Sequence, residues 1–216
     1  MDERKTLVVN FFAGAGAGKT TCAWEVAAEL KKANIVTEYV PEYAKELVWD
    51  GKAELLDGSF NNQSAVFAEQ KKRLDRLIGK VDVIVTDSPL LLQAVYIKER
   101  PDDFLSMSLT AHNEYENFNL FINRGKVYEQ EGRIHSLEES RRIDEKIKDM
   151  LEQNGIFYGN YYHQTIDVVV HNIQTTLKRI QQDRNTISSL LAHAKEKVVQ
   201  HPRTQQHTKP AQTIER

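Results

Sequence analysis

Apolar residues fall along the chain in short continuous runs that alternate with longer stretches of three-and-four spacing. "TLVVNFF", Thr6 to Phe12, is unbroken, β-branched and aromatic, which predicts a strand buried on both faces. From Lys19 to Lys32 the positions Ala23, Val26, Ala27 and Leu30 keep helical spacing. "IVTEYV" predicts a second strand, and "PEYAKELVWDG" a helix that opens on Pro41 and stops near Gly51. The polar patch 50–62 reads as a mobile connection into a helix of roughly Gln63 to Ile78, carrying Val66, Phe67, Gln70, Leu74 and Leu77.

"VDVIVTDSP" predicts a third strand ending at Asp87, with "LLLQAVYIKE" turning helical after it, and "NFNLFIN", Asn117 to Asn123, a fourth strand. "SLEESRRIDEKIKDMLEQNG" predicts a helix with Ser136 as its cap and Glu139 completing a capping box. "TIDVVVH" reads as a fifth strand, with Asn172 capping a last long helix in which Ile173, Leu177, Ile180, Ile187, Leu190 and Leu191 recur at three and four. After Gln200 little remains to bury, which predicts a disordered tail. Strands alternating with helices call for an α/β fold, a parallel sheet covered on both faces, with its ligand beyond the carboxyl ends of the strands. The expected organisation is one domain over residues 1–200, a lid around 124–142, and a basic tail at 201–216.

Composition adds limits. With 216 residues, 40% hydrophobic and 28% charged, the chain has material for an ordinary globular core, and no run approaches the ~18 apolar residues of a membrane span. A cytoplasmic setting without a membrane partner is expected, and the single Cys22 forms no internal disulfide. A net charge of -2 gives no global case for nucleic acid, although from Lys178 onward eight Lys or Arg stand against three acidic residues. That end reads either as a solvated helix and loose tail or as a polyanion contact. The seven histidines never join Cys or carboxylates at metal-site spacing, and the nucleophile-elbow sequence of hydrolases is absent.

The candidate chemistry lies between the first strand and the first helix. "AGAGAGKT", Ala13 to Thr20, has phosphate-loop spacing with alanine in its first position. Gly14, Ala15, Gly16, Ala17 and Gly18 supply backbone N–H groups to an anion, Lys19 reaches the β and γ phosphates, and Thr20, with Thr21 beside it, offers a hydroxyl to Mg²⁺. ATP and Mg²⁺ are therefore the expected donor and ion. Asp87, at the end of the third strand, is the expected metal-orienting carboxylate, with helix capping as its other reading; Ser88 reads as a cap. Glu42, after the second strand, reads equally as a group that orients or deprotonates an accepting hydroxyl and as favourable charge in a first helical turn. Tyr43 and Trp49 are possible lining residues. Arg124 and Arg133 flank a glycine-interrupted connection and are the arginines expected to close on the triphosphate, whereas Arg141 and Arg142 read as a polar helix face.

The loop, "TEYVPEYAKELVWDG" and "VIVTDSPLLLQAVY" resemble the P-loop proteins grouped with the nicotinamide-riboside kinase domain of the bifunctional NAD-biosynthesis regulator. The resemblance is closer to small kinase-like ATPases of tailed bacteriophages, over roughly Leu7 to His171. It implies a three-layer, nucleoside- or nucleotide-kinase-like P-loop fold with a helical lid. By it Lys19 and Thr20 match phosphate and metal residues, Asp87 the carboxylate after the third strand, and Arg133 the lid. Some of those phage kinases act on hydroxymethylated pyrimidines in DNA, so the implied acceptor is a nucleoside, a nucleotide or a modified base in DNA. The alternative of another class is a nucleotide-responsive switch that hydrolyses ATP slowly and uses it to order residues 51–62 for a partner. Homo-oligomerisation stays open.

Overall fold

Strand β1 (Leu7–Phe12) is buried at every position, as an element apolar except at Asn10 requires. In the computed structural model it occupies the centre of a parallel sheet. The structure describes residues 4–124 and 136–200, apart from the side chains of 163, 184, 187 and 191–200. The described strands β1, β2 (Thr37–Val40), β3 (Val83–Thr86), β4 (Glu116–Ile122) and β5 (Gly159–Tyr161) lie in the order β2-β3-β1-β4-β5. Every neighbouring pair is parallel. Register places Val8 beside Ile84 and Phe12 beside Phe121, so alternate residues of each strand share one face.

Helices α1 (Lys19–Lys32), α2 (Tyr43–Trp49), α3 (Phe60–Asp75), α4 (Pro101–His112), α5 (Leu137–Gln153) and α6 (Ile166–Gln200) alternate with the strands. On one face Val8, Val40 and Ile84 pack with Phe67 and Leu74 of α3 and Phe104 and Ala111 of α4. Farther along that face Phe12 and Phe121 meet Ile143, Ile147 and Leu151 of α5. Helix α1 lies against β1, β2 and β3, and Phe11, on the opposite side of β1 from Phe12, meets the Tyr161 ring edge-on at 5.5 Å. This is the expected three-layer α/β arrangement. One compact unit runs to Leu177 and a second begins at Lys178; the described backbone of the second, 178–200, is helical.

The last third departs from expectation. "TIDVVVH" is the opening of α6, not a strand, and Asn172 lies exposed within that helix instead of capping it. Strand propensity in the β-branched run yields to burial: Val169, Ile173 and Leu177 go inside at three-and-four spacing while Asp167, Val168 and His171 stay out. The fifth strand is "GNY", too short to display a period. Helix α4 has no counterpart among the expected elements, although Pro101 at its start and Asp102 and Asp103 in its first turn are start signals. "LLLQAV" forms a 3₁₀ turn, Leu90–Val95, and the 50–62 connection contains another at Ala53–Leu56. The capping box on α5 forms as expected: the Glu139 N–H donates to Ser136 Oγ at 3.2 Å, and the Ser136 N–H to Glu139 Oε2 at 2.7 Å.

Candidate functional site

Four neighbouring strands deliver their carboxyl ends to one edge of the sheet. Glu42 stands two residues beyond β2, Asp87 directly beyond β3, the loop 13–18 directly beyond β1, and Arg124 two residues beyond β4. The chain leaves β1 for the β2–β3 side and returns to the β4–β5 side, so the crevice of a parallel sheet opens at β1.

The loop's geometry explains its alanines. Gly16 and Gly18 take positive φ, 72° and 88°, where a side chain is strained, and Gly18 is the cap residue of α1. Ala13, Ala15 and Ala17 are absent from the positive-φ positions, so each carries its methyl without backbone strain, and Ala13 is fully buried. Lys19 opens α1 and is itself buried; its ammonium donates to the carbonyls of Ala13 at 3.0 Å and Gly14 at 3.2 Å. Thr20 Oγ1 donates to Asp87 Oδ2 at 2.6 Å, and Thr21 is exposed. Asp87 is 1% exposed, and its Oδ1 is buried with no hydrogen-bond partner among the described residues.

A carboxylate oxygen left without a partner beside a threonine hydroxyl is a hard-oxygen donor pair suited to Mg²⁺ or to one of its waters. Among the described residues no cluster of three His, Cys, Asp or Glu forms a metal cage. Tyr39, on β2, is an unforeseen neighbour: burial, and then the charge of Asp87, push its phenol above the usual range.

Glu42 stands at the N-cap position of α2, just ahead of its first turn. Its backbone is extended, φ -67° and ψ 113°, and its side chain makes no capping bond to α2. Burial raises its pKa most and Asp87 adds to the rise, while Lys19 and Lys45 oppose it. Those influences place the carboxyl in the field of the loop lysine and the strand-end aspartate. The backbone on either side of Glu42 is held by Gln70 of α3, which is fully buried. Gln70 Nε2 donates to the Pro41 carbonyl at 3.2 Å, and the Tyr43 N–H donates to Gln70 Oε1 at 3.0 Å. Tyr43 turns its ring to Arg73, whose guanidinium lies 4.6 Å from the centroid and is paired with Glu46. Trp49 is 71% exposed.

Arg124 reaches the loop from the far side. Its Nη1 donates to the Ala15 carbonyl at 2.8 Å, its Nη2 to the Ser140 carbonyl at 3.1 Å, and its Nε and Nη2 to the Asp144 carboxylate. Asp144 Oδ1 also accepts the Gly14 N–H at 2.6 Å. Asp144 and Ser140 did not stand out in the sequence; the signal was a buried stripe on α5 that includes two polar positions. Arg133 and residues 125–135 of the expected lid lie outside the described residues, as does the tail 201–216. Arg141 and Arg142 are exposed, and Arg142 pairs with Glu138 at 2.7 Å, matching a polar helix face. Ser88 caps no helix: it is buried, and its Oγ accepts from Gln93 Nε2 at 3.2 Å.

Comparison with known proteins agrees with this architecture. Residues 8–165 match the family model described as AAA domain. Thymidylate kinase from Ehrlichia chaffeensis superposes with a TM-score of 0.51 at 14% identity, covering 80% of this chain and 99% of that one. The Mycobacterium tuberculosis APS kinase CysC, in complex with AMPPNP and APS, aligns with a TM-score of 0.45 at 13% identity, over 81% of this chain and 99% of its own. No curated protein matches by sequence. No helix among the described residues is long and apolar enough to cross a membrane.

Proposed function

This chain belongs to the AAA domain family, and on that premise we propose that it is an ATP-dependent phosphotransferase. It moves the γ-phosphate to a hydroxyl of a nucleoside, a nucleotide or a modified base. The observation that carries the proposal is the meeting of Lys19, the Thr20–Asp87 pair and Glu42 at one crevice, with the Glu42 side chain making no capping bond to α2.

In this reading the loop N–H groups and Lys19 hold the β and γ phosphates, Lys19 exchanging its two loop carbonyls for phosphate oxygens. Thr20 and Asp87 hold Mg²⁺, directly or through water, and Arg124 secures the loop beside them, with Arg133 as the further candidate for charge stabilisation. Magnesium bound by Thr20 and Asp87 would supply charge neutralisation for the phosphates. Glu42 orients the accepting hydroxyl and takes its proton as the new oxygen–phosphorus bond forms. The bond from the γ-phosphorus to the β,γ-bridging oxygen breaks, and ADP leaves with that electron pair. A carboxyl whose pKa is raised by burial is, in its ionised form, a better proton acceptor than an ordinary carboxylate.

The finer kinship with phage kinase-like ATPases and the nicotinamide-riboside kinase domain is part of this proposal, resting on the Glu42-Tyr43-Ala44 and Asp87-Ser88-Pro89 elements. It sets the acceptors to be tried. Labelled ATP is offered with free nucleosides, nucleotides including thymidylate, nicotinamide riboside, and hydroxymethylated duplex DNA. Transfer to one class identifies the acceptor, and transfer to a free nucleoside without transfer to DNA removes the DNA version. ATP turnover with no label on any acceptor replaces the kinase reading with the slow-ATPase switch.

A further inference from the structure

The grip that α5 and Arg124 exert on the phosphate loop has a use beyond holding the fold together. Gly14 and Ala15 are seized in opposite senses: Asp144 takes the Gly14 N–H at 2.6 Å, while Arg124 Nη1 donates to the Ala15 carbonyl at 2.8 Å. No described peptide bond is cis, so pulling the Ala15 carbonyl toward Arg124 sends the Gly16 N–H the other way. The aim of that N–H is thus set by side chains from residues 124 and 144, far from the loop in sequence.

The pair is built to do this without spoiling an anion site. A lone carboxylate at hydrogen-bond distance from the loop would repel phosphates; here Arg124 engages both Asp144 oxygens, and the two side chains are only 13% and 12% exposed. A buried pair is stable when its remaining hydrogen-bonding groups are filled. Gly14 and the carbonyls of Ser140 and Ala15 fill them. Clearance is minimal: a Cβ on Gly14 would stand 2.6 Å from the Ser140 carbonyl oxygen and 2.9 Å from Arg124 Nη2.

We propose that Asp144 is a positioning residue for the phosphate donor: with Arg124 it shapes the loop for MgATP, acting through the Gly14 N–H and the Ala15 carbonyl. This rests on the donor reading of the loop above. The test is MgATP titration by calorimetry, well below the unfolding temperature, on wild type, D144N, D144A, R124M, R124M/D144N and K19A, with steady-state kinetics beside it. D144A is expected to weaken MgATP about tenfold to a hundredfold, the range found when a group that orients a ligand's direct contacts is lost. D144N, which keeps an acceptor for Gly14, is expected to lose less. The double variant should be no weaker than the worse single one, because the pair acts as one unit. KM for MgATP should rise while KM for the acceptor stays put. MgATP affinity within twofold of wild type in folded D144A and D144N, with only the unfolding midpoint lowered, overturns the proposal and leaves the donor reading intact. Failure of wild type to bind MgATP, or binding indifferent to K19A, overturns the donor reading and this proposal with it.

Discussion

The two halves of the crevice are built on different principles. On the proposed donor side the loop is engaged through its backbone: Lys19 rests on two carbonyls, Asp144 takes a backbone N–H, and Arg124 holds a carbonyl. On the proposed acceptor side the reading rests on one side chain, Glu42, whose pKa is raised by burial and by Asp87 and lowered by Lys19 and Lys45. A backbone site tolerates small changes of side chain wherever φ stays negative and space remains, as at Ala13 and Ala15. A side-chain site tolerates changes around it but not at its own position.

Substitutions at the two sides should therefore fail differently. The largest effect is expected for Lys19→Ala, with phosphoryl transfer lowered by about a thousandfold and a circular-dichroism spectrum like wild type; an unchanged transfer rate would remove Lys19 from the donor site. Glu42→Gln follows, with transfer down by about a hundredfold while MgATP affinity is retained. Wild-type activity should rise with pH as Glu42 ionises. Because its pKa is raised, the acid limb should have its midpoint above the usual carboxylate value of 4.5, and that limb should vanish in Glu42→Gln. A limb that persists in the variant assigns the proton to another group.

Gly14→Ala tests the backbone side more gently. The added methyl meets the Ser140 carbonyl and Arg124, so stability is expected to fall by about 1–3 kcal/mol on thermal or urea unfolding, with weakened MgATP binding. Wild-type affinity and stability in this variant would show that the loop and α5 separate freely. The smallest effect is expected from Lys45→Met. Lys45 is exposed and lowers the Glu42 pKa, so its loss should move the acid limb upward and leave KM for MgATP unchanged. A downward shift would contradict the electrostatic account of Glu42.

Signals that depend on neighbouring residues were legible in the chain. The strand, loop and helix from Leu7 to Lys32 and the Ser136–Glu139 capping box follow from periodicity and local hydrogen bonding, which act over a few residues. Where local preference opposed packing, it misled. The run from Thr165 to His171 has strand propensity, yet Val169, Ile173 and Leu177 are buried at helical spacing. "GNY" pairs with β4 despite carrying almost no pattern of its own.

The sequence by itself determined that a loop of phosphate-loop spacing stands between a buried strand and a helix, that Asp87 follows the third strand, and that parallel strands converge on the loop. Tertiary structure alone decided which partners complete it. Asp144 reaches Gly14 across 130 positions, and Gln70 brackets Glu42 from α3. Such contacts leave no periodic trace, because a hydrogen bond between distant segments depends on how sheet and helices pack, and packing is a property of the whole chain.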